Sequence, residues 1–106
     1  MDDDLLFKAL ADPARRRLLD SLHARGGQRL GELAAGHAMS RQAVTKHLKL
    51  LEKANLVVSV KHGRERLHHL NPVPIQEIAD RWIGKFQHAP LRVLADLKQA
   101  LERNEP

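Results

Sequence analysis

The sequence predicts a mainly α fold carrying one small β-hairpin, in the order α-α-α-α-β-β-α. Three observations lead there. Apolar residues recur at helical spacing through the first 54 residues and again beyond residue 73. Between them, from Leu56 to Leu70, the pattern changes to β-branched and alternating residues around a His62-Gly63-Arg64-Glu65 turn. Gly, Pro and Asn fall where this reading needs elements to start or stop.

Leu5, Leu6, Ala9 and Leu10 define a short first helix. Asp12-Pro13 starts the second. The Asp carboxylate can accept from the first free amides, and Pro at the first helical position gives up no hydrogen bond. Leu18, Leu19 and Leu22 form its apolar stripe, which stops at Gly26-Gly27. Leu30, Leu33 and Ala34 form a short third helix ending near Gly36, and His37-Ala38-Met39 turns the chain. Ser40 caps a fourth helix whose apolar positions, Val44, Leu48 and Leu51, stand at i, i+4 and i+7. Asn55, which tolerates the left-handed conformation better than most residues, ends it. Leu56–Val60 and Arg66–Leu70 are the two strands, and Asn71-Pro72 closes the hairpin. A last helical stretch from about Val73 carries Ile75, Ile78, Trp82, Leu94, Leu97 and Leu101, and Pro90 should kink or split it near Ala89. No linker or repeat divides the 106 residues, so one domain is expected over 1–106.

Composition narrows the function classes. With no cysteine, the chain has no disulfide, thiolate nucleophile or thiolate metal site. No apolar run reaches the ~18 residues of a membrane span and the Met1-Asp2-Asp3-Asp4 start resembles no signal peptide, so a cytoplasmic protein without membrane contact is expected. No nucleophile–base pairing and no phosphate-cradling glycine loop is present, which argues against an enzyme.

The net charge of +5 is unevenly placed. Residues 1–39 carry six Lys/Arg against six acids, and residues 72–106 five against five. Residues 40–71 carry seven against Glu52 and Glu65 alone, so the entire excess lies on the fourth helix and the hairpin. A surplus gathered on adjoining elements points to a polyanionic partner, double-stranded DNA above all. The fourth helix has the necessary division. Val44, Leu48 and Leu51 hold it to the body, while Arg41, Gln42, Thr45 and Lys46 stand elsewhere in its first two turns. Arg and Gln can pair with guanine and adenine in bidentate fashion, and Thr can meet a thymine methyl or a phosphate. Lys46, His47 and Lys49 suit the backbone. In the hairpin, Lys61, His62, Gly63, Arg64 and Arg66 form a tight basic tip, with Arg64 the leading contact. The plainer alternatives are a solvated amphipathic helix and edge charges that discourage aggregation.

FKALADPARRRLLDSL, LGELA, SRQAVTKHLKLLEKANLV and KHGRERLHHLNP, followed by a Trp82-containing last helix, together resemble the ArsR-type winged helix-turn-helix repressors over nearly the whole chain. The resemblance implies a homodimer that binds a palindromic operator and blocks transcription until released. By position, Ser40, Arg41, Gln42, Thr45, Lys46 and His47 match the recognition helix, and Lys61 to Arg66 the wing. It places the helix-turn-helix at 30–54, the wing at 56–71, and dimerisation helices at 1–11 and 73–103. Three departures stand out: no cysteine near the third helix, Asn55 in place of the usual glycine, and His68-His69 where aromatics are common.

All three aromatics, Phe7, Trp82 and Phe86, lie outside the basic segment. Edges of Leu5/Leu6/Phe7/Leu10 and Trp82/Phe86/Leu94/Leu97/Leu101 exceed what a small domain needs to cover itself, and are expected at a homodimer interface; the alternative is that they complete the monomer core. No metal or other cofactor is expected. His88, Asp80, Asp96 and Glu102 lack paired histidines at i, i+4, and His68 and His69 alternate faces on a strand. The competing readings are a winged-helix protein-interaction module and a sensor of the same fold that takes metal through His and carboxylates or responds to a ligand. The effector is unknown.

Overall fold

The computed structural model describes residues 3–86 and 91–103, and the side chains of all of these except 91–94. The elements are α1 (Asp3–Leu10), α2 (Pro13–Ala24), α3 (Leu30–Gly36), α4 (Arg41–Lys53), β1 (Val57–His62), β2 (Glu65–Leu70), α5 (Val73–Phe86) and α6 (Leu91–Arg103). Mainly helical with one antiparallel hairpin, this is the expected class, with one helix more because the last stretch forms two. The break expected at Ala89-Pro90 lies outside the described residues, as does His88. The chain divides into two compact units, residues 1–76 and 77–106.

The core of the first unit is aliphatic. Leu6 and Ala9 of α1, Leu18, Leu19 and Leu22 of α2, Leu33 and Ala34 of α3, Val44, Leu48 and Leu51 of α4, and Ala54, Leu56 and Val57 beyond it are all buried. Each full leucine burial is worth roughly 1.5–3 kcal/mol, so this cluster is the main stabilising term. Leu6 belongs to it at 1 % exposure, which corrects its expected place on an outward edge: the second leucine of α1 faces the unit's own core, while Phe7 is the exposed neighbour.

Polar groups finish the helix ends. Asp12 Oδ1 accepts from the amides of Ala14 (2.7 Å) and Arg15 (3.1 Å), as the Asp-Pro pair implies. Those amides, that of Arg15 foremost, hold the Asp12 carboxyl below its ordinary range. Lys8 O accepts from Ala11 N at 3.3 Å, and two arginines supply further partners for the last carbonyls of α1. Arg15 Nε and Nη2 donate to Ala9 O and Lys8 O at 2.8 and 2.9 Å, and Arg16 Nη1 to Leu10 O at 2.6 Å.

The turn between α3 and α4 closes by Ala38, whose φ of 52° is left-handed, with Met39 N donating to Ala34 O at 3.1 Å. At the other end of α4, Asn55 (φ 63°) donates to Glu52 O and Leu56 N donates to Leu51 O, both at 2.9 Å. This is a Schellman ending, with Leu51 and Leu56 both buried beside it. Asn71 secures the junction. Its amide donates to Leu56 O (2.8 Å), its Nδ2 donates to Asn55 O (2.9 Å), and its Oδ1 accepts from Val73 N (3.3 Å) at the start of α5.

The hairpin is tighter than its sequence suggests. Pairing runs from Val57↔Leu70 to His62↔Glu65, leaving Gly63-Arg64 as a two-residue loop. Gly63 has φ +64° and Arg64 is not in the positive region, the pattern that puts glycine first in such loops. A short third rung also joins: Gln28 and His68 bridge antiparallel, with His68 N donating to Gln28 O at 2.9 Å. Gln28 is buried, and its amide nitrogen reaches Ser21 O, Ser21 Oγ and Arg25 O at 3.0, 3.1 and 2.8 Å.

Ala38 is the strained position. A left-handed alanine costs about 1–2 kcal/mol, and glycine's extra unfolded freedom about 0.5–1. Ala38→Gly should therefore add about 0.5 kcal/mol and raise the thermal midpoint of the first unit by about 2–4 °C. Ala38→Val should lower it, both read by circular dichroism melts.

Candidate nucleic-acid interface

α4 turns its stripe inward and leaves Arg41, Gln42, Lys46, Lys49 and Lys53 exposed. The decisive feature is which charges are already engaged. Among the described residues, Arg41, Lys46, Lys49, Lys53, Lys61, Arg64 and Arg66 make no ion pair and no side-chain hydrogen bond. Arg25 and Arg29, earlier in the chain, are paired. Arg25 meets Glu32 at 2.7 Å, and Arg29 meets Glu32 at 2.8 Å and Glu65 at 2.7 Å. Hydrogen bonds from Arg29 and then Arg25 hold the Glu32 carboxyl down at about 2. Neither acid of the basic stretch neutralises a cation of that stretch: Glu65 is taken by Arg29, and Glu52 accepts from the Ser59 hydroxyl. Seven unpaired cations on neighbouring elements create a positive field that internal pairing does not cancel.

The expected contact residues separate into groups. Gln42 and Lys46, one turn apart, occupy the outward face of α4. Arg41, Thr45 and Lys49 share a cleft of about 810 Å³ with Arg64 and Arg66 of the hairpin, alongside Leu30, Gly31, Ala35 and Leu48. Gly31 admits the Arg41 side chain, since a Cβ there would stand 3.0 Å from Nη2. The Thr45 hydroxyl donates to Arg41 O (2.8 Å), which leaves its methyl free, and Ser40 Oγ accepts from Ala43 N (3.1 Å) as the helix cap. Lys61, His62 and Gly63 are exposed at the hairpin tip but do not line the cleft.

His47 is placed otherwise than expected. It is half-buried, with Nδ1 3.5 Å from Arg15 Nη1, so it faces α2 rather than the outward face of α4. The reason is helical: position 47 follows Val44 by three residues and lies at the edge of the buried stripe. Arg15, only 11 % exposed in its side chain, thereby joins α1, α2 and α4. Nothing in the Arg15-Arg16-Arg17 run sets the first apart from a solvated charge; its partners are backbone carbonyls that only the fold brings near.

Under the hairpin, His68 is 5 % exposed. Its Nδ1 lies 2.9 Å from Ser59 Oγ, and because that hydroxyl donates to Glu52, Nδ1 carries the proton. Burial depresses the imidazole pKa, against the pull of Glu52 and with help from Arg66 and His69, which favours the neutral ring. His69 on the opposite face packs over Gly26, where a Cβ would stand 3.2 Å from its Nδ1. Among the described residues no three His, Asp or Glu side chains gather as a metal site, and no helix is long and apolar enough to cross a membrane.

In the C-terminal unit, Trp82, Ile83, Phe86, Leu97 and Leu101 are all more than half exposed, Leu101 at 70 %. Trp82 and Phe86 pair at 5.7 Å between centroids, and Lys85 Nζ stands 5.4 Å from the Trp82 ring. In the first unit Phe7 is exposed at 47 %, and Leu5 and Leu10 are half-buried. The side chain of Leu94 lies outside the described residues.

Two helices joined by a tight turn, the second presenting unsatisfied cations beside a basic hairpin, define a DNA-binding winged helix-turn-helix protein. A family model described as a helix-turn-helix domain matches residues 10–60. The chain is 38% identical over 86 residues to the uncharacterized HTH-type transcriptional regulator YuzN of Bacillus subtilis (strain 168), spanning 76% of this chain and 94% of that one. It is 31% identical over 81 residues to the transcriptional repressor SdpR of the same organism, spanning 76% and 88%. The solved structure of an ArsR-like transcriptional regulator from Rhodococcus sp. RHA1 superposes with a TM-score of 0.74 at 34% identity, over 96% of this chain and 92% of that one. The chain belongs to the ArsR-type family of winged helix-turn-helix transcriptional regulators.

The two acid-sensitive clusters should lose their contributions in different pH windows. His68 has a depressed folded value, so its contribution is complete above its unfolded value of about 6.5 and is lost as pH falls through the folded one. The Glu32 contribution is complete above about 4.5 and is lost only as pH falls toward about 2. Urea midpoints should therefore fall between pH 7.5 and 5, and His68→Gln should flatten that fall. An unchanged slope would mean that other groups carry it.

Proposed function

We propose that this protein is a homodimeric, sequence-specific transcriptional repressor acting in the cytoplasm on a palindromic operator, with no enzymatic activity and no thiolate metal response. The observation that carries the reading is the set of seven unpaired cations on α4 and the hairpin, with both local acids engaged elsewhere. Gln42, on the outward face of α4, reads base edges, joined by Arg41 swinging from its seat on Gly31. Lys46 and Lys49 hold phosphates, Thr45 offers its methyl, and Ser40 fixes the start of the helix. Lys61, His62, Arg64 and Arg66 carry the hairpin to the neighbouring backbone, with Gly63 making its turn tight. His47 acts indirectly, by trimming the orientation of α4 against Arg15.

The exposed Phe7 in the first unit, and Trp82, Phe86, Leu97 and Leu101 in the second, form the dimer interface, with Leu5 and Leu10 at its edge and Leu94 continuing the α6 stripe by sequence. A two-fold dimer would present its α4 helices about 34–36 Å apart, one turn of duplex. The repressor SdpR lends the sign of the regulation.

Fluorescence anisotropy with labelled duplex tests the DNA contact. Affinity should fall steeply with salt, with a log–log slope of about −5 or steeper if some six phosphates are held per dimer. Lys46→Ala should weaken all sequences alike and make that slope shallower by about 1 for each phosphate no longer held. Gln42→Ala should instead relax base preference, costing roughly 1–3 kcal/mol of discrimination at one position in each half-site. Salt-independent binding, or none, would overturn the reading.

Trp82 is the only tryptophan, so it reports on the interface. Dilution through the dimer dissociation range should shift its emission to the red as the ring becomes hydrated. Leu101→Glu should give the monomer spectrum at every concentration, with α-helical signal retained.

A further inference from the structure

The cleft between α3, α4 and the hairpin contains more than a nucleic-acid strand needs. Its volume of about 810 Å³ lies in the range of small-molecule sites. Leu48 is buried within it, and Leu30 and Gly31 are half-buried beside it, giving the cleft an apolar side. Around that side stand four exposed, unpaired cations: Arg41, Lys49, Arg64 and Arg66. Of the acids that also line it, Glu32 and Glu65 pair with arginines, while Glu52, held by the Ser59 hydroxyl, keeps its single charge against those four cations. Charge complementarity therefore calls for an anion.

His68 sharpens the choice. It lines the same cleft, and the Glu52–Ser59–His68 chain puts its proton on Nδ1, leaving Nε2 as an acceptor. A phosphodiester has no donor to offer that nitrogen, and it has no apolar body to cover Leu30 and Leu48. A molecule with a carboxylate, a flat hydrocarbon body and a hydroxyl can satisfy all three features at once.

We propose that this cleft binds a small hydroxylated organic acid, its carboxylate held by Arg64, Arg66 and Lys49, its body against Leu30 and Leu48, and its hydroxyl donated to His68. Because Arg41, Thr45 and Lys49 line both this cleft and the DNA-facing helix, occupancy excludes duplex. The competition half of this inference rests on the DNA reading above; the binding half does not.

The probe is 6-hydroxy-2-naphthoate, compared with 2-naphthoate, 2-naphthalenemethanol and inorganic phosphate, titrated into the full chain without DNA and followed by its own fluorescence and by amide NMR. Saturable binding is expected, with shifts centred on Gly31, Leu48, Arg64 and His68. The uncharged alcohol should bind at least tenfold more weakly, as should the acid to Arg66→Ala, since a charge-assisted hydrogen bond is worth about 1.5–3 kcal/mol. His68→Phe should abolish the advantage of the hydroxy acid over 2-naphthoate, and Lys8→Ala, which removes an equal charge outside the cleft, should change nothing. Non-saturable binding, affinity no better than for phosphate, or shifts centred on Trp82 would overturn the proposal. Duplex displacement is then measured separately. Failure to bind duplex at all refutes the DNA reading and leaves the site standing, whereas ligand and duplex bound together refute the competition.

Discussion

The seating of one apolar stripe governs the rest of this molecule. Val44, Leu48 and Leu51 are each at most 4 % exposed, among leucines from α1, α2 and α3. On a 3.6-residue helix, that burial leaves Gln42, Lys46, Lys49 and Lys53 no direction but outward. Rotating α4 by one position would bring lysines toward an aliphatic interior, at a cost of several kcal/mol for each buried unpaired charge. The chemistry of the exposed face is therefore set by the interior, and the turn at Ala38 and the Schellman ending at Asn55 keep the helix from sliding along its axis.

Electrostatic specialisation follows from where the acids go. Glu65 sits at the hairpin tip between Arg64 and Arg66, yet its carboxylate reaches Arg29 at the start of α3. That contact attaches the hairpin to the helical body and at the same time takes one negative charge from the basic face. Exposed ion pairs of this kind contribute little to stability, so their main effect here is on the field and on the position of the hairpin. Glu52 is held differently, by a hydrogen bond from Ser59 of β1, and keeps its charge.

Much of this is legible in the sequence because it depends on local rules. Asp12-Pro13, Ser40 and Asn55 mark helix ends through groups a few residues away, and the division of charge between residues 40–71 and their flanks needs only counting. What stays hidden depends on partners distant along the chain. Arg15 reads as one of three consecutive surface arginines until the carbonyls of Lys8 and Ala9 come round to it. His47 reads as a phosphate ligand until Arg15 stands beside it. The Gln28–His68 bridge joins residues forty apart, and Ala38 adopts a conformation its residue type disfavours. Leu6 reads as an outward residue because the Leu5-Leu6-Phe7 run puts apolar side chains on every side of a short helix.

Asn71 has a mechanical consequence. One side chain grips the carbonyl of Asn55 just past the end of α4 and receives the first free amide of α5. The start of α5 and the residue just past α4 are thus tied through one side chain. A displacement that begins at the entry to α5 is coupled, through this single asparagine, to the end of the helix that carries the basic face.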